Sequence, residues 1–122
     1  MSNVQGAAWA PPGRAPSFYG VPLKQVGPVV PPPSGAAAEM VKCIVDMDPG
    51  IIKMITSTSE DIPQHPPGTS HRDNRAVDFS TDDPWRAMIL GALCGATYQQ
   101  NEYETLSKGG TGPHVHLQQN RR

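Results

Sequence analysis

Apolar residues along the chain fall into two helical stripes and several short runs of β-forming residues. Ala37, Met40, Val41, Ile44 and Val45 occupy i, i+3, i+4, i+7 and i+8 of one helical face. Ser34 stands where a capping hydroxyl belongs, and Asp48-Pro49-Gly50 stops the pattern, so the spacing predicts a helix over 37–48. Trp85, Met88, Ile89, Ala92 and Leu93 repeat the stripe behind Asp83-Pro84, an acidic cap followed by proline in the first turn. Gly95 ends that second helix, whose stripe is expected to be buried. Segments 51–57, 75–80, 96–100 and 114–118 are short and read as strands. The order helix, strand, strand, helix, strand, strand predicts an α+β domain. Its small, mainly antiparallel sheet carries both helices on one face.

Composition divides the chain. Residues 1–35 hold eight Pro and five Gly but only two charges, Arg14 and Lys24. Pro11-Pro12 and Pro31-Pro32-Pro33 exclude helix and central strand, so this stretch is expected to be an extended Pro-rich arm. The arm nevertheless carries Trp9, Phe18, Tyr19, Val21, Leu23, Val26, Val29 and Val30. That leaves two readings open, a solvated linker or a segment that docks along a neighbouring subunit. Residues 36–122 form the expected folded domain. The arm is near +2 and the domain near −3, neither a field that would hold nucleic acid or anionic lipid. No apolar run is long enough for a membrane span, and no basic-then-apolar leader is visible. Synthesis in a bacterial cytoplasm without a signal peptide is therefore expected. Cys43 and Cys94 lie within the helical patterns and show no metal-type spacing, so each is expected to be a small buried hydrophobe, with a disulfide as the alternative.

The candidate chemistry lies in two clusters, Thr69-Ser70-His71-Arg72-Asp73-Asn74-Arg75-Ala76-Val77-Asp78 and Gly112-Pro113-His114-Val115-His116. His114 and His116 share a face of the last strand, because side chains alternate along it. His71 ends a loop and Asp78 sits on the strand that follows, so a turn can bring both to one point. Two imidazoles and a carboxylate make a three-ligand zinc site whose fourth position stays open to water. The competing reading is surface histidines and solvated loop charges. His65 lies in a Pro-rich loop, either flanking the cleft or touching substrate.

The first cluster, extended through Phe79 and Ser80, resembles the S-x-H-x-x-G-R-A-x-D signature of the D-Ala-D-Ala carboxypeptidase and hedgehog superfamily of zinc proteins, the M15-like peptidases. The second resembles that family's H-x-H on the last strand. The resemblance implies zinc held by His71, Asp78 and His116, His114 beside the metal, and Arg75 supporting the site or contacting substrate. Three positions depart from the family pattern: Thr69 replaces Ser, Asn74 replaces Gly, and Pro113 stands where the peptidases carry a catalytic carboxylate. Asn tolerates the left-handed backbone that a motif Gly supplies. The nearest acids for the missing base are Glu102 and Glu104, and Glu104 is the expected one. The implied activity is hydrolysis of peptide bonds in peptidoglycan. The small size and the absence of a signal peptide or separate wall-binding domain lead to the expectation of a phage-encoded enzyme, released at lysis or carried in the virion. The alternative is a virion or assembly protein that keeps the fold without catalysis, with partners bound through residues 1–35.

Overall fold

A computed structural model describes residues 16–105 and 113–120, with backbone only at 104 and 105. The described elements are β1 (Ser17–Phe18), β2 (Val21–Pro22), α1 (Gly35–Met47), β3 (Met54–Ser57), β4 (Ala76–Ser80), α2 (Pro84–Leu93), β5 (Tyr98–Asn101), α3 (Glu102–Thr105) and β6 (Val115–Gln118). β1 and β2 form a two-stranded antiparallel sheet. The other four strands form an antiparallel sheet ordered β3-β4-β6-β5. The fold is α+β, as the element order predicts.

Register decides what each face of the larger sheet carries. Val77 lies opposite Leu117 and Phe79 opposite Val115, while Asp78 lies opposite His116 between them. Alternation then puts Val77, Phe79, Val115 and Leu117 on one face, all fully buried in a core shared with Met40, Val41 and Ile44 of α1. Asp78 and His116 fall on the other face. β3 contains a bulge. Ile55 pairs with Phe79, yet Ser57 pairs with Asp78, so an extra residue turns Ser57 toward the Asp78 face while Ile55 stays in the core.

α1 buries the expected stripe. Ser34 occupies its cap position, but its side chain makes no capping hydrogen bond. Instead the carbonyl of Asn74 accepts the Ala37 N–H at 3.0 Å. Asn74 has φ 58, the left-handed conformation its glycine-like place requires. The turn inside the first motif is thereby tied to the start of a core helix.

α2 begins as expected, with the Asp83 carboxylate accepting the Arg86 N–H at 3.1 Å. Its buried face is not the expected one. Ala87, Leu90 and Gly91 face inward, whereas Trp85, Ile89 and Leu93 are 57%, 64% and 66% exposed. The cause is close approach. A Cβ built on Gly91 would lie 2.7 Å from a Leu117 methyl, so the helix backbone rests directly on β6 and only small residues fit there.

Two further expectations are corrected. Residues 16–34 do not form an extended arm. Tyr19-Gly20, both at positive φ, turn a short hairpin. Leu23 then bridges Ile55 at the edge of β3, and Val21, Leu23 and Val30 are buried in the chain's own core. Residues 1–15, including Trp9, lie outside the described residues. Cys43 and Cys94 are not thiols; they form a disulfide joining α1 to α2. Packing of the two helices brings their Cα atoms to 5.7 Å, within bonding range. Among the described residues no helix is long and apolar enough to cross a membrane.

Candidate metal centre

Three protein segments converge on the face of the sheet opposite the helices. β4 supplies Asp78, β6 supplies His116 directly across the ladder, and the turn before β4 supplies His71. Their ligand atoms lie within 4.8 Å of one another, and His71 and Asp78 are buried. Each imidazole is oriented by its second nitrogen. His71 Nδ1–H donates to the Thr58 carbonyl at 2.8 Å, leaving Nε2 3.4 Å from Asp78 Oδ2. His116 Nε2–H donates to Gln118 Oε1 at 2.7 Å, leaving Nδ1 2.7 Å from Asp78 Oδ1. Tetrahedral zinc bonds of about 2.0–2.1 Å set ligands about 3.3 Å apart, so small shifts suffice to close the three atoms around one ion. Two imidazoles, each held by its outer nitrogen, and a buried carboxylate are a donor set that could hold a metal ion.

The electrostatics without metal fit the same geometry. Burial alone would push the Asp78 carboxyl up, but hydrogen bonds from His116 and then His71 hold it well below the usual carboxylate range. Burial disfavours the His116 imidazolium, yet the hydrogen bond to Asp78 and the carboxylate charge outweigh it, so the His116 pKa is raised. Burial lowers the His65 pKa, with the charge of His71 adding to it.

Around this centre the expected site residues separate. His114 is buried beside it, its Nε2 3.1 Å from Glu102 Oε2 and 3.4 Å from Asp78 Oδ2. Glu102, the less favoured of the two candidate bases, is thus linked to the Asp78 carboxylate through one imidazole. Its segment is held by Asn101, whose side chain accepts the Tyr103 N–H, and by Tyr103, whose hydroxyl accepts from Thr81 N–H and donates to the Thr81 carbonyl. The side chain of Glu104 lies outside the described residues. Arg75 is not brought to the cluster by its described bonds. Its guanidinium donates to the Gln119 carbonyl at 2.9 Å and pairs with Asp73 at 3.4 Å, tying the start of β4 to the end of β6. His65 is a loop residue at the cleft, as expected, but it is buried and stacks on His71, ring centroids 4.2 Å apart.

Sequence reading missed Gln118 and Glu60. Gln118 had a signal, since it continues the alternation His114, His116 on one strand face. Glu60 had none. A cleft of about 830 Å³ opens from Asp78 and His114 between the 24–28 turn and the 60–65 loop. No protein-family model, no curated protein and no solved structure matches the chain.

Proposed function

We propose that the protein is a zinc-dependent peptidase acting on the peptides of bacterial peptidoglycan. The observation that carries this reading is the convergence of His71, Asp78 and His116, where Asp78 and His114 line an open cleft and Glu102 pairs with His114. His71 Nε2, one Asp78 oxygen and His116 Nδ1 would hold the ion. Zinc bound there would lower the pKa of a water in its open position and polarise a scissile carbonyl. Glu102 is the carboxylate poised to take and return a proton, replacing the acid that Pro113 cannot supply. His114 orients Glu102 and lies where it can also stabilise developing negative charge. The cell wall as substrate rests on the resemblance of residues 69–80 and 112–118, and a phage origin on the Pro-rich composition of residues 1–35.

The test uses the full chain, with bound zinc quantified and purified peptidoglycan incubated on the same sample while released peptides are followed by mass. One zinc per chain with cleavage is expected, and Asp78→Ala should abolish both. The rival reading, a virion or assembly protein without catalysis, is favoured by Pro113. It predicts zinc without cleavage. Absence of zinc would end both metal-based readings.

A further inference from the structure

We infer that Glu60 is a positioning residue for the metal centre, acting through Thr58 and His65 on the orientation of His71; this rests on His71 being a metal ligand. Glu60 is a buried carboxylate outside the motifs. Both its oxygens are committed: Oε1 accepts the Thr58 N–H at 2.7 Å, and Oε2 accepts the Ser57 hydroxyl at 2.6 Å. These bonds clamp the chain just beyond the β3 bulge. The carbonyl of that same Thr58 accepts His71 Nδ1–H at 2.8 Å. This bond selects the tautomer and leaves Nε2 as the ligand atom.

A second route reaches the same ring. The Glu60 carbonyl accepts His65 Nδ1–H at 3.1 Å, and His65 Nε2 lies 3.3 Å from the Ser57 hydroxyl. His65 is thereby held flat against His71, the two rings 10° from parallel. One route fixes which nitrogen of His71 carries the proton, and the other fixes the plane of its ring. Thr58 Oγ1 donates to the Pro31 carbonyl at 2.6 Å, so the clamp also fastens the chain before α1 to the centre. Outer-shell partners of this kind commonly change metal affinity by about 10–100-fold when removed.

The experiment compares the full chain with Glu60→Ala and Glu60→Gln. Zinc affinity is read by competition with a chromophoric chelator. The His71 tautomer is read from imidazole nitrogen shifts in the metal-free protein. Glu60→Ala is expected to weaken zinc binding by about 10–100-fold and to mix the tautomers of His71. Glu60→Gln should stay close to the parent in both. Its amide oxygen can accept the Thr58 N–H, and the Ser57 hydroxyl can rotate to accept from its amide nitrogen. If Glu60→Ala does not fold, Ser57→Ala serves instead, removing one of the two anchors, with a smaller loss in the same direction. A folded Glu60→Ala with parental zinc affinity and an unmixed tautomer would overturn the proposal, as would parental values in Ser57→Ala. If the parent itself binds no zinc, the metal reading falls, while the tautomer measurement still judges the positioning role.

Discussion

Replacing Gly91 with alanine tests whether α2 truly lies on β6. Alanine is the better helix former by about 0.8–1.0 kcal/mol, so an exposed Gly→Ala change would stabilise. Here the new methyl would sit 2.7 and 2.8 Å from the two methyls of Leu117 and 3.3 Å from its Cγ. Leu117 is fully buried, so its methyls cannot swing toward solvent. Overpacking of this kind costs about 1–3 kcal/mol. The cost exceeds the propensity gain, and Gly91→Ala should lose about 1 kcal/mol, near the middle of the difference. For a domain of this size that lowers Tm by about 4–8 °C. Urea and thermal unfolding under non-reducing conditions give the value. A double-mutant cycle with Leu117→Ala isolates the cause. Leu117→Ala alone should cost about 2–5 kcal/mol through its cavity. The double variant should cost less than the two singles together, by about 0.5 kcal/mol or more, because the new methyl fills part of that cavity. Stability unchanged or raised in Gly91→Ala, or strict additivity in the cycle, would refute the contact.

Four further outcomes are expected. Glu102→Gln should keep zinc and lose about 10²–10⁴-fold in peptide hydrolysis, measured as kcat on a wall-peptide substrate; full activity would remove Glu102 as the base. Zinc affinity should fall as pH drops below the raised His116 value, by about tenfold per unit for one displaced proton, because the proton and the ion compete for Nδ1. In the metal-free protein the His116–Asp78 pair has the opposite dependence on the basic side. The raised His116 pKa makes its contribution full below about 6.5 and lost as pH rises through the folded value; the lowered Asp78 pKa makes its contribution full above about 3.9 and lost on further acidification. Metal-free stability, followed by urea unfolding across pH, should therefore peak in mild acid. Reducing the Cys43–Cys94 bond, which closes a separation of 51 residues, should lower stability by about 4 kcal/mol on the chain-entropy estimate, read as a fall in Tm with dithiothreitol.

The elements were legible in the sequence because strand and helix periods differ. The Asp83-Pro84 start of α2 and the glycine-like turn at Asn74 were legible from local backbone chemistry. Convergence of His71, Asp78 and His116 was legible because two of them lie on strands whose alternation fixes their face. What failed to show was tertiary. In α2 the count of large apolar residues pointed to Trp85, Ile89 and Leu93. The face that packs is chosen by Ala87 and Gly91, which carry almost no hydrophobic signal. Val21, Leu23 and Val30 looked like arm residues because prolines surround them. They are buried through one bridge to an edge strand that no local pattern announces. The cysteine pairing depends on how two helices cross, and the Glu60 network depends on a bulge that no spacing rule foretells.

That bulge has a consequence for how the chain tolerates change in length. In a regular strand every residue keeps the parity of its neighbours two positions away, so a strand cannot give Ile55 to the core and then Ser57 to the opposite face. The extra residue at Thr56 breaks parity once, between the half of β3 that faces the core and the half that faces Asp78. Deleting Thr56 would restore the regular count. Ser57 would then follow Ile55 directly and still oppose Asp78, leaving both the core register and the Glu60 anchor in place. A single-codon deletion is therefore tolerable at Thr56, whereas one inside the regular strand β6 would exchange its two faces.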